Sequence, residues 1–473
     1  MPPRVREGRV VAEPGSAAPP EIRDPEGDLR PEFVAAVSGA LAARDAPRLR
    51  GLTADLHEAD LGAVLEALDP DERSPFVTLL GEDFDFTALT EVEESVRVQI
   101  LDELPTEVVA EGMREIDSDD AVYILEDLEA ADQAEILAEM PAPERIALQR
   151  ALDYPEESAG RRMQTEFIAV APFWTVGQTI DYLREHQDLP EEFYEIFVVD
   201  PGFRLLGTVS LNRILRSRRG AKISEVMEDS RHRVSATEDQ EAVARLFQRY
   251  NLVQAAVVDE GERLVGVITV DDVLDVIHEE AEEDIRALAG LGDGELSDSV
   301  VRAARSRIPW LFINLGTAFI SASVIGLFDA SIEKMVALAV LMPIVASMGG
   351  NAGTQAMTVT VRALATRELG IGRRALRVVI RETLVGLLNG IALSIALGLV
   401  AGLWFGTAKL GLVIAAALVI NLFVAGVFGT VIPITLARLK ADPAVASSVF
   451  LTTMTDSIGF FVFLGLASLA FGL

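Results

Sequence analysis

The chain has 473 residues, half of them hydrophobic, with a mean hydropathy of +0.30 and a formal net charge of −32, so two or more domains are expected and a purely soluble protein is not. Of its 41 basic and 73 acidic residues, 13 and 6 lie from Val301 onward, which joins an intensely acidic half (net −39 over 1–300) to an apolar half of net +7. Such an acidic field argues against nucleic acid as a partner, and a chain without cysteine has no disulfide, thiolate metal site or cysteine nucleophile.

Residues 1–30 are rich in Pro, Gly, Arg and Glu without periodicity and read as a disordered tail. No apolar signal-peptide core opens the chain, so residues 1–300 are expected to stay in the cytoplasm. Over 31–155 apolar residues recur at helical spacing, as in Val108, Val109, Met113 and Ile116, then Val122, Ile124, Leu125 and Leu128. Breakers of one kind recur: Leu68-Asp-Pro-Asp-Glu-Arg73, Leu104-Pro-Thr-Glu107 and Met140-Pro-Ala-Pro-Glu-Arg145. Proline suits the first turn of a helix and acidic residues suit its N-terminal dipole. The pattern predicts an acidic domain of short stacked helices, a small α-solenoid.

An internal repeat follows. Val198-Val-Asp-Pro-Gly-Phe-Arg-Leu-Leu-Gly-Thr-Val-Ser-Leu-Asn-Arg-Ile-Leu215 matches Val257-Val-Asp-Glu-Gly-Glu-Arg-Leu-Val-Gly-Val-Ile-Thr-Val-Asp-Asp-Val-Leu274 at a shift of 59. Each copy reads as strand, Gly turn, strand and helix start, preceded by a helical run. The duplication resembles a tandem pair of cystathionine-β-synthase-type (CBS) domains, with copies at 163–220 and 221–270. In that family a Thr/Ser-x-x-Asp at the second strand–helix junction holds the ribose of an adenine nucleotide such as ATP. The second copy has it as Thr269 and Asp272, while the first departs, with Ser210 followed by Arg213. A helix cap is the competing reading of Thr269. From 271 to 300 a charged helix and linker follow, and Asp271–Asp284 alone holds seven carboxylates besides Asp271 with few basic partners. Such like charges repel, and divalent cations would relieve them.

From Ile308 the chain turns apolar. Five spans are visible near 308–328, 335–364, 376–405, 411–436 and 445–472, each long enough to cross a bilayer. Eleven Arg and Lys flank the spans on one side, against Lys334 and Lys409 on the other. This charge bias predicts the N-terminal half inside and the C-terminus outside. Asp456 sits near the middle of the fifth span, where a carboxylate is costly and usually faces a bundle interior or a water-filled path. An uncharged or hydrogen-bonded Asp that helps helices pack is the alternative. The second span contains Pro343-Ile-Val-Ala-Ser-Met-Gly-Gly-Asn-Ala-Gly-Thr-Gln355, and the fourth adds Asn421, Gly426, Gly429 and Pro433. These suit a broken helix that exposes carbonyls to a cavity, or close packing through small residues.

The order of acidic helical domain, CBS pair, charged helix and five-span membrane domain resembles the MgtE family of magnesium channels. The stretches Gly349-Gly-Asn-Ala-Gly-Thr-Gln355, Asp442-Pro443 and Thr453-Met-Thr-Asp-Ser-Ile-Gly459 match its membrane motifs. The resemblance implies a homodimer in the inner cell membrane, with a pore along the two-fold axis. Asp456 of each copy would bind hydrated Mg2+ there, with Asn351 and Thr354 nearby and Asp442 at the cytoplasmic mouth. It also implies that cytosolic Mg2+ closes the pore by bridging carboxylates of the acidic domain, the CBS pair and the charged helix, which acts as a plug. The best matches are Asp239, Glu241, Asp272, Asp275, Glu280, Glu283 and Asp284, with Asp83, Asp119 and Asp120 in the acidic domain.

An enzyme is not expected. All four histidines lie at or before His278, so the membrane half carries no His-Glu-x-x-His, and no Gly-x-x-x-x-Gly-Lys-Ser/Thr occurs. The remaining alternatives are a transporter of another divalent cation (Mn2+, Co2+ or Ca2+), which would use the same oxygen ligands, and a membrane-anchored nucleotide or metal sensor.

Overall fold

The computed structural model describes residues 22–186, 189–190, 193–229, 232–289, 300–365, 373–439 and 443–473. They form two compact units, one up to Glu280 and one from Ala281.

The first unit begins with short helices in succession: α1 (Pro31–Ala42), α2 (Ala46–Thr53), α3 (Glu58–Ala67), α4 (Pro70–Leu80), α5 (Glu94–Glu103), α6 (Thr106–Gly112), α7 (Ser118–Glu126), α8 (Ala130–Glu139) and α9 (Ala142–Leu152). The prolines act as expected. Pro70 opens α4, Pro105 stands just before α6, and Pro141 and Pro143 flank the start of α9. One continuous core joins the helices, from Phe33 and Val37 through Phe76, Leu89 and Ile100 to Ile124 and Leu148.

One correction concerns the predicted tail. Residues 22–30 are ordered: Asp24 accepts the backbone N–H groups of Glu26 and Asp28, Arg23 pairs with Asp60 at 2.7 Å, and Ile22 and Leu29 pack on the core. Composition misled here because two apolar anchors suffice to hold so short a turn. Residues 1–21 lie outside the described residues.

A buried cation braces the helical stack. The Arg97 side chain is 3 % exposed, donates to Asp127 at 2.7 Å and to the Leu89 carbonyl at 3.0 Å, and lies 4.5 Å from the centre of the Tyr123 ring. Removing one member of such a pair strands the other in low dielectric. Arg97→Ala is expected to cost about 3–5 kcal/mol. The thermal melt of the first unit should then fall by about 10 °C.

The CBS pair follows as β1 (Ala169–Val170), α10 (Val176–Glu185), β2 (Glu195–Val199), β3 (Leu205–Ser210), α11 (Leu211–Arg216), α12 (Ile223–Val226), β4 (Val234–Ser235), α13 (Gln240–Tyr250), β5 (Gln254–Val258), β6 (Leu264–Thr269) and α14 (Val270–Ala289). The two sheets have the same design. β1 is parallel to β2, which is antiparallel to β3, and β4, β5 and β6 repeat this with the register shift at the equivalent place, after Val198 and Val257. The copies meet through equivalent residues. Arg204 bridges Arg263, the Leu205 N–H donates to the Glu262 carbonyl, and Leu264 answers to Phe203. Phe197, Val199 and Leu205 share one apolar cluster with Ala256, Val258 and Leu264. Two segments cross over. Gln164 pairs with Val267 of the second sheet and Glu228 with Thr208 of the first. The start of α14 belongs to the second copy's core through Val273 and Val276.

In the second unit, α15 (Val300–Gly326), α16 (Asp329–Lys334), α17 (Ala337–Ala365), α18 (Arg373–Trp404), α19 (Ala408–Arg438) and α20 (Pro443–Phe471) follow. Among the described residues, five helices are long and apolar enough to cross a membrane: those over Ala303–Gly326, Ala337–Leu364, Ala375–Trp404, Ala408–Arg438 and Ser447–Phe471. α18 and α19 pack closely because glycines remove side chains at each crossing. A Cβ on Gly386 would lie 2.5 Å from the Leu422 carbonyl oxygen, and one on Gly411 would lie 2.3 Å from that of Gly398. Such contacts supply helix association where lipid offers no hydrophobic drive. α17 runs unbroken through Pro343 and the paired glycines, which corrects the broken-helix expectation. Gly349 and Gly353 serve packing instead, against Asn421 and Leu451, while Gly350 faces open space.

Candidate functional site

Two clusters of chemistry stand out, one in each unit. In the membrane unit, Asp456 lies half-buried on α20, below Thr452, which is exposed, and Ser448, at a spacing of four residues. That spacing makes one stripe along a helix. On α17, Asn351, Thr354, Gln355 and Thr358 form one exposed face, while Gly353, Ala356, Met357 and Thr360 are buried on the other. The packing levels these two polar faces. Gly349 of α17 and Gly459 of α20 both abut the Asn421 side chain, and Gly353 meets Leu451, where a Cβ would lie 2.9 Å from the leucine Cδ1. The helices therefore run antiparallel, and these crossings bracket Asn351 on one and Asp456 on the other. The turn of Asp456 is fixed from a further side, since the Ser457 and Ser321 hydroxyls are 3.1 Å apart and join α20 to α15. Asp442 lies outside the described residues. Sequence reading passed over Glu382 of α18, a second intramembrane carboxylate, 8 % exposed, with the Arg381 Nε at 3.8 Å.

In the first unit, the acidic start of α7 meets the start of α14. Asp119 is buried and its carboxyl is held well above the usual range, first by burial and then by Asp272, Asp120 and Asp117. Asp120 is pushed up to about 7 by burial, Asp272, Asp117, Asp271 and Asp275. Burial likewise raises Asp272, against the hydrogen bond that Thr269 gives it, and raises Asp275, with Asp271 adding to the effect. Glu91 is raised by burial and then by Asp275. The helix dipole favours acids in the first turn of α7, and among the described residues no cation is among the influences on Asp119 and Asp120. The polar contact to Asp119 from the CBS side is the Gln164 amide at 3.4 Å. α7 is seated there by Ser118, which donates to Glu166 at 2.7 Å and accepts the Thr165 N–H at 2.7 Å.

The sequence-predicted sensor residues thus divide. Asp119, Asp120, Asp272 and Asp275 come together, and Asp117, Asp271 and Glu91 join them unannounced by any local signal. Glu280 accepts from Gln240 at 2.9 Å, within a network in which Arg162 also donates to Gln240 and pairs with Glu279. Asp239 caps α13 by accepting the Ala242 N–H, and Glu241 pairs with Arg245 along the same helix. Asp83 is drawn elsewhere, paired with Arg50 at 2.8 Å on an exposed edge. Glu283 is exposed on α14, and the Asp284 side chain lies outside the described residues. Among the described residues no three carboxylates or histidines form a ready-made metal cage.

Thr269 donates its hydroxyl to Asp272 at 2.6 Å, and its N–H points to the same carboxylate oxygen at 3.2 Å. The pair therefore caps α14, and Asp272 faces the acidic cluster. An open cavity of the CBS pair lies elsewhere, about 560 Å³ and lined by residues that include Glu195, Thr208, Glu228, Asp229, His232 and Gln254.

Comparison with known proteins agrees with this layout. Residues 342–466 match the MgtE family described as divalent cation transporter, 56–157 the MgtE intracellular N domain, and 159–220 and 223–279 the CBS domain. The magnesium transporter MgtE of Bacillus subtilis is 32 % identical over 420 residues, covering 89 % of this chain and 93 % of the relative. That of Thermus thermophilus is 38 % identical over 320 residues, covering 67 % and 70 %. Among solved structures, the cytosolic domain of the Mg2+ channel MgtE in complex with ATP aligns with a TM-score of 0.49 at 30 % identity, covering 51 % of this chain and 99 % of that one. Helical N domain, CBS pair and five apolar helices fall in one order and one chain, and this protein belongs to the MgtE family of magnesium transporters.

Proposed function

We propose that the chain is a Mg2+-selective channel of the cell membrane that cytosolic Mg2+ closes. The observation that carries this reading is the pair of polar faces on α17 and α20. Asn351 and Thr354 are exposed and Asp456 only half-buried within one protomer, although the helices are apolar enough to lie in lipid. A second copy about a two-fold axis would cover those faces and turn them into the wall of a water-filled path. Mg2+ is hard, sheds water reluctantly and is often held by one or two carboxylates while keeping several waters, so two Asp456 residues make a fitting sparse site. Binding of this kind is also weak enough to release the ion. The charge bias of the loops supports a first unit in the cytoplasm, and with five spans the C-terminus would lie outside. Transport, not catalysis, is the activity.

The regulatory half of the proposal rests on Asp119, Asp120, Asp272 and Asp275. These hard oxygen donors suit a hydrated Mg2+, which would neutralise a repulsion that Arg162 and His278 offset only at Asp275. Glu280, Glu283 and Asp284 continue the acidic series in the sequence of α14, the helix that would act as the plug. Only a difference in Mg2+ affinity between open and closed forms can move such an equilibrium. An adenine nucleotide is a candidate regulator of the CBS pair, and the 560 Å³ cavity has the size for one. Other divalent cations are the competing cargo.

Patch recording of the full chain tests the proposal, with Mg2+ stepped on the cytoplasmic face. Mg2+-carried current that shuts as cytoplasmic Mg2+ rises is the expected result. Silence at every Mg2+ level, or equal current with Ca2+ or Mn2+, would overturn it.

A further inference from the structure

We propose that Asn421 of α19 is a positioning residue whose side-chain amide sets the distance between the polar face of α17 and the turn of α20 that carries Asp456. The proposal rests on the reading of Asp456 as the carboxylate of the ion path, and goes beyond it by naming what holds that carboxylate in place.

Asn421 is fully buried in the bundle. Its Nδ2 donates to the Val345 carbonyl of α17 at 2.8 Å. That carbonyl also faces the ladder position of Gly349, and its two lone pairs allow both bonds. The acceptor dictates the amide's orientation, because the reversed amide would set two oxygens against each other. The Oδ1 is then left buried without a hydrogen-bond partner among the described residues.

Two glycines are shaped to this one side chain. A Cβ on Gly349 would lie 2.2 Å from Nδ2, and one on Gly459 would lie 2.8 Å from the same atom. Asn421 is therefore wedged between α17, two residues before Asn351, and α20, three residues after Asp456. Ser457, next to Asp456, is held from α15 through Ser321 at 3.1 Å. The turn that carries the carboxylate is clamped on both flanks.

Packing alone does not call for an amide here. A leucine of nearly the same shape would fill the space and remove the desolvation penalty of an unpaired oxygen. What leucine lacks is the directional bond to Val345, which fixes α17 against α19 in rotation and along its axis. The amide thus costs stability and supplies register, the trade expected of a group that orients a metal-binding carboxylate.

The test uses the full-length chain in proteoliposomes, with Mg2+ uptake measured against Mg2+ concentration and against competing Ca2+. Asn421→Leu is compared with wild type and with Gly349→Ala, whose added methyl displaces the amide while leaving Asn421 present. Both variants are expected to raise the half-saturating Mg2+ concentration about tenfold and to blunt discrimination against Ca2+ to a similar degree. That is the lower end of the range by which groups behind a metal ligand tune affinity. Maximal uptake should change far less, and Asn421→Leu should melt in detergent at or above the wild-type temperature. Should Asn421→Leu fail to fold, Asn421→Ala is read the same way. Wild-type affinity and discrimination in these variants would overturn the proposal and leave Asn421 a packing residue. Asp456→Ala, run beside them, separates the two levels: uptake that survives that change would remove the ion-path reading itself.

Discussion

Asp456→Ala protein is expected to insert and fold as wild type does, and to take up Mg2+ at no more than about one hundredth of the wild-type rate. The magnitude follows from charge. A unit charge about 4 Å from another gains about 4 kcal/mol at an effective dielectric of 20, and each 1.4 kcal/mol is about tenfold in occupancy. Losing that term at the one carboxylate of the α17–α20 polar face would empty the site well beyond the reach of compensation by neighbouring hydroxyls. Asp456→Asn is the sharper variant, since it keeps shape and hydrogen bonding and removes only the charge. It should fail almost as fully, whereas Asp456→Glu should keep part of the flux with altered ion preference. Stability supplies the control. A carboxylate within a membrane span is costly, so its removal should leave the thermal melt unchanged or raised. Loss of uptake together with loss of the melt would indicate a packing role instead. The readout is Mg2+ flux into vesicles at matched protein density, with melting followed on the same preparations.

How far the sequence alone reached depends on the range of each interaction. The repeat at a shift of 59 was legible because each copy carries its own pattern, and the pairing of Arg204 with Arg263 is that repeat seen in space. Helix starts at Pro70 and around Pro141 were legible because proline acts locally. The apolar spans announced themselves by length. The acidic cluster did not. Asp120 and Asp272 are far apart in the chain, and only the course of the helical stack and the seating of Ser118 on Thr165 and Glu166 bring them together. Asp83 looked equally plausible in sequence, but Arg50 claims it. Asp117, Asp271 and Glu91 carry no mark that separates them from dozens of other surface acids. The role of Thr269 was open between ribose ligand and helix cap, and its bonds to Asp272 suit both. Asn421 was visible as a polar residue in an apolar span, while its fit to Gly349 and Gly459 depends on how three helices meet.

The acidic cluster leads to a second expected result, a coupling of proton and Mg2+ control. In the folded unit the Asp120 carboxyl is pushed up to about 7, against about 3.9 for an unperturbed Asp, and Asp119, Asp272 and Asp275 are raised with it. A raised carboxyl binds its proton more tightly when α7 and α14 are docked than when they are apart. Docking is therefore favoured at low pH. Without divalent cations the contribution of Asp120 to that stability falls as pH rises from about 4 and is lost above about 7. Under the proposed gating, Mg2+ would act on the same docked state by the same relief of repulsion, displacing those protons as it binds. In Mg2+-free solution, lowering cytoplasmic pH from 8 to 6 should shift channels toward closure. At pH 6 the response to added Mg2+ should be shallower than at pH 8, because protons have already neutralised part of the cluster. One pKa unit is worth about 1.4 kcal/mol, or tenfold. Joint replacement by Asp119→Asn, Asp120→Asn and Asp272→Asn sets neutral amides where protonated carboxyls would stand, so it should shift the Mg2+-free equilibrium toward closure by about tenfold or more, flatten the Mg2+ dependence and remove the pH effect with it. Inside-out patches with both variables controlled give the answer. A triple variant that keeps the wild-type Mg2+ curve would place the sensor on other carboxylates, with Glu280 and Glu283 the next to test. One that loses Mg2+ control but keeps the pH effect would break the link between the two, and would assign the proton response to a different group.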